Sequence, residues 1–380
     1  MISLIITLSI FNIIFIIINK YNIYNKKITI TPPSNYINFI ENTTIYNNYK
    51  LMNFTGGGIR ALVALYYIKN HYNDFIKIEK DIFNNINGFS GISTGAIVSL
   101  FLCYRIKIID NLIQNNPDLL NNIFNYFNYE ETIINDINNG KINYSIIILD
   151  ILIYLYEFYF PTHIIKKKYN LNGIFGPKYC IKSYIKIFNT FLKNIRFQDS
   201  TQHFFILTQN TVTNNLILIN NMSSNSQKFI NKLWIIEVIL MSTSSPLFIS
   251  NYKNYIDPGL LNNDAIYYSV LEIKKHLNIY PKIISFSYHQ KNSNINFFNK
   301  IGIFKFFSYL INVYYNHSAN ETYNFKKQYQ ILDSTNKYLL FRFDLNTFMD
   351  DINDYNNIKL KSNSLILNQE EKNLLKEILI

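Results

Sequence analysis

Two short glycine motifs, a few dozen residues apart, constrain the fold of this chain more than any other feature. Gly91-Ile92-Ser93-Thr94-Gly95 directly precedes an apolar run over 96–102 that has the pattern of a helix. Gly56-Gly57-Gly58-Ile59-Arg60 directly follows a strand-like run over 50–54. A sharp strand-to-helix turn presents a serine at the edge of a sheet, and consecutive glycines leave backbone N–H groups open to an oxyanion. The pair of motifs therefore predicts a serine acyl hydrolase.

Strand-like and helical patterns alternate along much of the chain. The strand-like runs cover residues 51–55, 82–90, 204–207, 216–219, 252–256 and 283–286, and the helical runs cover 59–71, 94–105, 230–241 and 265–277. Residues 108–200 are predicted to be mostly helical, with asparagine-rich turns. Because alternation of this kind places helices against a parallel sheet, we predict an α/β sandwich with a mostly parallel central sheet.

Residues 1–19 form a strongly apolar segment, and the run over 2–18 is at the short limit of a helix that spans a bilayer. Lys20, Lys26 and Lys27 follow this run, whereas no basic residue precedes it and no small-residue cleavage site follows it. We therefore predict a hydrophobic N-terminal helix that acts as a single-pass membrane anchor, with the catalytic domain in the cytosol. A cleaved signal peptide of a secreted protein and an ordinary buried element are the alternatives. Efficient modification of a C-terminal glycosylation reporter would contradict the cytosolic orientation.

Changes in composition set the expected domain boundaries. Residues 20–48 are polar, rich in asparagine and contain Pro32-Pro33, so we predict a linker there. We predict one acyl hydrolase domain over 49–345, followed by a helical C-terminal extension over 346–380. The 380 residues of the chain suffice for one large α/β domain with a sizeable core.

The net charge of +11 favours contact with anionic partners. Because the chain has no nucleic-acid-binding motif, we expect contact with the anionic headgroups of a membrane surface and no nucleic acid partner. A lysine excess without any function is the alternative. Cys103 and Cys180 have no C-x-x-C spacing, and no His/Asp/Glu cluster has ligand spacing. We therefore expect neither a metal site nor a cofactor.

Ser93 is the candidate nucleophile, and a serine nucleophile needs a base. Asp257 ends a strand-like run and precedes Pro258-Gly259, which makes its carboxylate one candidate. Asp-Pro-Gly is also typical of a tight turn without a catalytic role. The alternative is a Ser–Asp–His esterase on an α/β-hydrolase fold. That arrangement would require one of the histidines His276, His289 and His317.

Two further features each have a structural and a functional interpretation. Arg60 is expected either to orient the glycine loop or attract an anionic headgroup, or to be a solvated residue in the first helical turn. The aromatic run over 154–160 has helical spacing and is typical of a core stripe. Its functional interpretation is an apolar cover over a lipid-binding cleft.

Taken together, these motifs resemble the patatin-like phospholipase family. The segment over 56–60 is similar to the family's glycine-rich loop, and the segment over 91–95 is similar to its G-x-S-x-G. Residues 257–263 resemble its distal aspartate segment, and residues 241–248 resemble the small-residue stretch before it. The motifs occur in the family's order over residues 50–290.

The resemblance implies a three-layer, patatin-like α/β sandwich that hydrolyses phospholipids or other acyl lipids through an acyl-enzyme. It implies a catalytic dyad of Ser93 and Asp257 with no histidine, and it implies no metal and no cofactor. The other implied site residues are Gly56, Gly57, Gly58 and Arg60 in the oxyanion hole and Gly91, Gly95 and Gly259 in the motifs.

Two positions depart from the family pattern. Ala61 stands where the family usually has glycine, a change that we expect to matter little. Pro258 replaces the glycine that usually follows the catalytic aspartate, and proline restricts both its own φ and the preceding residue. If that turn needs a positive φ, the carboxylate of Asp257 would be re-aimed. A catalytically silent relative that binds lipid without turnover is therefore a further alternative.

Overall fold

The structure of the protein, a computed structural model, describes the chain in separate stretches. These are residues 48–71, 81–129, 143–164, 179–222, 233–245, 248–290, 323–330, 337–345, 355–363 and 368–379. The apolar helix predicted over 1–19, and all but the last residue of the linker predicted over 20–48, lie outside the described residues.

The described residues fold around a mixed sheet of seven strands, in the order β4-β3-β2-β1-β6-β7 with β5 paired to β3. The strands are β1 (Lys50–Phe54), β2 (Gly88–Gly91), β3 (His203–Asn210), β4 (Leu216–Asn220), β5 (Tyr255–Ile256), β6 (Lys282–Gln290) and β7 (Tyr338–Leu345). β1 pairs in parallel with β2 and β6, β2 pairs in parallel with β3, and β6 pairs in parallel with β7. Only β4 and β5 are antiparallel to their neighbour among these strands. The predicted mostly parallel sheet is confirmed.

Helices cover both faces of this sheet. They are α1 (Ala61–Asn70), α2 (Thr94–Cys103), α3 (Arg105–Asn115), α4 (Pro117–Tyr126), α5 (Tyr144–Tyr154), α6 (Phe160–His163), α7 (Ile181–Leu192), α8 (Ile235–Thr243), α9 (Ile266–Leu277), α10 (323–330), α11 (Tyr355–Asn363) and α12 (Gln369–Leu379). A π-helix over Leu155–Tyr159 joins α5 to α6. α9 and α10 pack on one face, whereas α1, α2 and α5 pack on the other. Helices on both faces of a mostly parallel sheet make the predicted three layers.

β1 lies inside the sheet, and all of its residues are buried. Met52 and Phe54 belong to one core cluster, and Leu51 belongs to the cluster on the opposite face. Because both faces of this strand are buried, its apolar residues do not alternate with polar ones, as the adjacent Leu51 and Met52 show. Lys50 is the first residue of β1, and its Nζ donates to the carbonyl oxygen of Leu379 at 2.7 Å. A helix C-terminus favours a cation, so this bond ties α12 to the first strand.

The strand predicted over 82–90 is wrong in its first half. Ile82–Asn85 forms a 3₁₀ turn, and the paired strand β2 begins only at Gly88. The carboxylate of Asp81 accepts from the backbone N–H of Phe83 at 3.0 Å and from Nε of Arg105 at 2.8 Å. A side chain that satisfies the backbone locally favours a turn over a strand, and the contact with α3 holds that side chain in place.

Among the described residues, one continuous helical stretch is long and apolar enough to cross a membrane, Tyr144–His163. It consists of α5, the π-helix and α6. Of its most apolar part, 67% is buried inside the protein. Burial of this extent is typical of the core helix of a globular domain, so the stretch is weak evidence for a membrane span.

Candidate active site

Three segments with predicted site residues leave the sheet at the same edge. Phe54, the last residue of β1, lies opposite Gly91, the last residue of β2. The glycine loop and the serine turn begin just after these two residues, so they lie side by side. β5 pairs with the end of β3 through Ile256 and Gln209, and Asp257 follows directly. The carboxyl ends of parallel strands are the usual place for a site in an open α/β sheet.

Ser93 occupies a strained turn between β2 and α2. Its backbone has φ 54° and ψ −124°, a conformation that costs a residue with a side chain on the order of 1–3 kcal/mol. The N–H of Ser93 donates to Oγ of Ser242 at 3.0 Å, and the Ser242 hydroxyl donates to the carbonyl oxygen of Leu207 at 2.8 Å. These bonds brace the turn against β3. A braced and strained serine in a turn between strand and helix is the geometry in which a nucleophilic serine is presented at the edge of a sheet.

The two glycines of the serine motif are required by close backbone contacts. A Cβ on Gly91 would lie 2.3 Å from the carbonyl oxygen of Gly95. A Cβ on Gly95 would lie 2.1 Å from the carbonyl oxygen of Phe54. Backbone atoms cannot rotate aside as a flexible side chain does. The motif therefore allows the first turn of α2 to pack directly on the ends of β1 and β2.

Asp257 places a buried carboxyl group beside the serine. Its Oδ1 accepts from the backbone N–H of Gly259 at 2.9 Å, and its own N–H donates to the carbonyl oxygen of Ser244 at 3.0 Å. Oδ2 is buried and has no hydrogen-bond partner within the described stretches. Burial raises the pKa of Asp257 to about 6, and the hydroxyl of Ser93 and the N–H of Gly259 partly oppose that rise. The carboxyl group is therefore close to the nucleophile and poised to titrate near neutral pH.

Pro258 fits the turn that follows this aspartate. It is the first residue of a 3₁₀ turn over Pro258–Leu260, a position that proline favours. Asp257 has φ −60° and ψ 121°, the extended conformation that a residue before proline adopts. Pro258 is not among the described residues with a positive φ. The turn therefore directs the N–H of Gly259 to the carboxylate without the glycine that is usual at position 258.

The pKa of Asp257 sets an expected pH dependence of activity. Only the carboxylate can accept a proton from the serine, and the pKa of this group is raised to about 6. We expect kcat/KM for a water-soluble acyl ester to rise about tenfold per pH unit below this pKa and to level off above it. Initial rates between about pH 5 and about pH 8, in buffers of constant ionic strength, measure this. A profile that is flat through this range would contradict a carboxylate base at Asp257.

The glycine loop offers its backbone N–H groups unequally. The N–H of Gly56 donates to the carbonyl oxygen of Asn263 at 3.2 Å, and the N–H of Gly57 donates to Oγ1 of Thr94 at 3.2 Å. No acceptor in the described part of the chain is bound to the N–H of Gly58. Gly58 has φ 60°, a conformation that favours glycine. Gly58 is therefore the residue of this loop whose N–H is best placed to bind an oxyanion.

Asn263 holds the glycine loop from the segment that carries the aspartate. The side-chain Nδ2 of Asn263 donates to the carbonyl oxygen of Gly56 at 2.8 Å. The backbone carbonyl oxygen of Asn263 accepts from the N–H of Gly56. The side chain of Asn263 is buried. The sequence indicates this residue only as part of a motif, with no role of its own. The paired bonds assign it one, because they fix the loop relative to Asp257.

Replacing Asn263 by Ala should weaken this attachment. We expect kcat to fall by about tenfold to a hundredfold with a smaller change in KM, because a misplaced loop stabilises the transition state less well. Asn262→Ala is the matched control, since Oδ1 of Asn262 accepts from the N–H of Asp264. Within the described stretches, Asn262 has no hydrogen bond to the glycine loop. Steady-state kinetics of both variants, with their melting temperatures, decide the point. Equal kinetic effects of the two substitutions would show that Asn263 has no special role.

Arg60 is buried and does not have the solvated position that one interpretation gave it. Its side chain is 1% exposed. Its backbone N–H donates to the carbonyl oxygen of Gly57 at 3.2 Å, in the short 3₁₀ turn over Gly58–Arg60. This buried position is consistent with the interpretation that Arg60 orients the glycine loop. It is not consistent with the interpretation that Arg60 is solvated.

The histidine alternatives find no support in the described geometry. His276 lies in the last turn of α9, at the end of the helix that is farther from the site, just before β6 begins. Its Nε2 is 2.9 Å from Oε1 of Glu272. No described histidine is hydrogen-bonded to either residue of the candidate dyad. The side chain of His289 and all of His317 lie outside the described residues.

Metal ligands are not grouped in the described stretches. No group of three or more His, Cys, Asp and Glu side chains there is arranged to hold a metal ion. Cys103 and Cys180 do not form a disulfide. The groups that the described residues bring to the site edge include the hydroxyl of Ser93, the carboxyl group of Asp257 and the backbone N–H donors of the glycine loop.

Comparisons with known proteins identify one matching family. The sequence model of the family described as patatin-like phospholipase matches residues 53–268, which is more than half of the chain. This range contains the whole glycine motif over 56–60, the serine motif over 91–95, and Asp257. Among solved structures, the chain is similar to VipD from Legionella pneumophila, with 11% identity and a TM-score of 0.35 over 87% of this chain and 67% of that chain. No curated protein sequence matches this one.

Proposed function

The chain belongs to the patatin-like phospholipase family, and from that membership we propose that it cleaves fatty-acyl esters of phospholipids or other acyl lipids with a Ser93–Asp257 dyad. One observation carries this proposal. The strained serine turn and a buried carboxyl group with a pKa raised to about 6 lie together at the carboxyl edge of the sheet. A hydroxyl beside a poised base is the arrangement that nucleophilic catalysis requires.

In the proposed acylation step, Oγ of Ser93 attacks the ester carbonyl carbon while its proton passes to the carboxylate of Asp257. A tetrahedral intermediate forms, and its negative charge develops on the former carbonyl oxygen. Collapse of the intermediate breaks the bond to the alcohol, which leaves with the proton from Asp257. The product on the enzyme is an acyl ester of Ser93.

Water completes the cycle in the proposed deacylation step. Asp257 takes a proton from the water as the oxygen attacks the acyl-enzyme carbonyl, and a second tetrahedral intermediate forms. Its collapse breaks the bond to Oγ, and Asp257 returns the proton to Ser93. The fatty acid is released, and both residues are back in their starting state.

The oxyanion of both intermediates would be held by the glycine loop. The N–H of Gly58 is available, and the N–H of Gly57 can exchange its long bond to Thr94 for one to the oxyanion. α2 begins at Thr94, and a helix N-terminus favours nearby negative charge. Removing one such donor typically reduces kcat by about 10²–10³.

The experiment that tests the function is fatty-acid release from a panel of acyl lipids by purified protein. We expect release by the wild type and none above background by Ser93→Ala. Labelling of the wild type by a fluorophosphonate should be lost in the same variant. Equal release by both proteins would exclude Ser93 as the nucleophile, and labelling without release would favour a silent relative. The apolar segment over 1–19 and the net charge of +11 support delivery of this activity at a membrane surface.

A further inference from the structure

The end of α8 is bonded to both residues of the candidate dyad. The segment over 241–244 contains the last turn of this helix and its C-cap. Oγ of Ser242 accepts from the N–H of Ser93 at 3.0 Å. The carbonyl oxygen of Ser244 accepts from the N–H of Asp257 at 3.0 Å. The nucleophile and the proposed base are therefore attached to positions two residues apart in one short segment.

β3 holds this segment from the other side. The hydroxyl of Ser242 donates to the carbonyl oxygen of Leu207 at 2.8 Å. The hydroxyl of Thr208 donates to the carbonyl oxygen of Met241 at 2.6 Å, and the carbonyl oxygen of Ile256 is its second acceptor at 3.2 Å. One hydroxyl of β3 thus contacts the residue just before Ser242 and the residue just before the proposed base.

The chemistry of a helix end explains why these contacts form. The carbonyl groups in the last turn of a helix have no partner within the helix. The carbonyl group of Met241 is one of these, and the hydroxyl of Thr208 satisfies it. The side chains of Thr208 and Ser242 are both 0% exposed. Because water does not reach these groups, removing either hydroxyl leaves a buried polar partner unpaired.

The hydroxyl of Ser242 differs from those of its two neighbours. The hydroxyl of Thr243 donates to the carbonyl oxygen of Ile239 at 2.8 Å, and that of Ser244 donates to the carbonyl oxygen of Leu240 at 2.6 Å. Such bonds back into the same helix are common for serine and threonine. The single proton of the Ser242 hydroxyl goes to β3 instead, which leaves its oxygen as the acceptor for the serine turn.

We propose that Ser242 and Thr208 are positioning residues, which together set the distance between Oγ of Ser93 and the carboxyl group of Asp257 through the end of α8. This inference rests on the proposed function and deepens it, because both residues act through the dyad and not on the substrate. Ser242 holds the nucleophile, and Thr208 holds the strand residue that carries the base. A displacement of about 1 Å at a reacting group can reduce a rate about a hundredfold.

Kinetics of three variants test the two hydroxyls. Ser242→Ala and Thr208→Val each remove one hydroxyl, whereas Thr208→Ser keeps it. At about pH 8, we expect the first two to reduce kcat for a water-soluble acyl ester about 10–100-fold. KM should change by less than about threefold, since the substrate contacts are unaltered. Thr208→Ser should return kcat to within about threefold of the wild type.

Thr243→Val is the matched control, because it removes a buried hydroxyl from the same turn. Within the part of the chain that the structure describes, that hydroxyl has no hydrogen bond to β3 or to the dyad. The control should keep the wild-type kcat. An equal loss in Thr243→Val and Ser242→Ala would overturn the proposal, as would a Thr208→Ser that is as slow as Thr208→Val. If Ser242→Ala does not fold, Ser242→Cys gives the same comparison, since a thiol is a weaker hydrogen-bonding group.

Crystal structures separate a failure of this inference from a failure of the proposed function. If the wild type hydrolyses no ester, the proposed function is wrong, and the positions of the two side chains can still be compared. We expect the distance between Oγ of Ser93 and the carboxyl group of Asp257 to change by on the order of 1 Å in Ser242→Ala and in Thr208→Val. It should be unchanged in Thr243→Val. An unchanged distance in either of the first two variants would overturn the role of that residue.

Discussion

Replacing Asp257 by Asn is expected to reduce kcat for fatty-acid release by roughly a thousandfold, within the range that a general base contributes. The amide has nearly the shape of the carboxyl group and can still accept from the N–H of Gly259, so the turn should persist. It cannot accept the proton of Ser93. The comparison of kcat between wild type and variant at about pH 8, where the carboxylate dominates, measures the effect.

The same substitution should stabilise the protein at neutral pH. The pKa of Asp257 is raised from 3.8 to about 6 in the folded state. A raised folded pKa means that ionisation opposes folding, so this group has no effect below about pH 4 and its full destabilising effect above about pH 6. The full effect corresponds to roughly 3 kcal/mol. We therefore expect denaturant unfolding to give a more stable Asp257→Asn at about pH 8 and a difference near zero at about pH 4.

Asp118→Asn is the control for both measurements, since Asp118 is an exposed carboxylate in the first turn of α4. It should leave kcat unchanged and should not reproduce the gain in stability. An Asp257→Asn variant that is active at the wild-type rate, or one that is destabilised at neutral pH, would contradict the role given to this carboxyl group.

Replacing Gly95 by Ala is the second change with a large expected effect. The new Cβ would lie 2.1 Å from the carbonyl oxygen of Phe54 and 2.8 Å from that of Thr55. To relieve these contacts, α2 must move away from β1, and the serine turn and glycine loop must separate. We expect a loss of stability of about 1–3 kcal/mol or more and a fall in kcat/KM of at least about a hundredfold. Thermal unfolding and ester hydrolysis of the purified variant measure the two effects.

Val212→Ala, at a side chain that is 70% exposed, is the control for preparation and assay. Wild-type stability and activity of Gly95→Ala would show that the close contact between α2 and β1 is not needed. A soluble variant that unfolds at the wild-type temperature but has lost activity would locate the effect in the serine turn alone. Both results are informative, because they separate packing from catalysis.

The local parts of this site could be predicted from the sequence because their cause is local. The serine turn needs small residues at 91 and 95, and the structure gives the steric reason in contacts within a few residues of Ser93 and with the adjacent strand. The alternation of strands and helices is similarly local, and it predicted the sheet and its layers. The predicted start of the strand at residue 82 was wrong, because Asp81 caps a 3₁₀ turn there. The carboxylate of Asp81 is held in place by Arg105, which lies in another element of the structure.

The remaining features depend on contacts between distant parts of the chain. The bond from Asn263 to Gly56 joins residues 207 positions apart, and no local pattern specifies it. The effect of Pro258 on the carboxylate of Asp257 could not be predicted from the sequence for the same reason, because the type of turn at this position depends on the residues that surround Asp257.

The central claim is that Ser93 forms an acyl-enzyme, and rapid acid quenching followed by mass spectrometry tests it most directly. Wild-type protein mixed with an acyl ester should gain the mass of one acyl group, located on the peptide that contains Ser93. Ser93→Ala should gain none under the same conditions. Fatty-acid release without any such adduct, or an adduct on a different residue, would contradict the proposed mechanism.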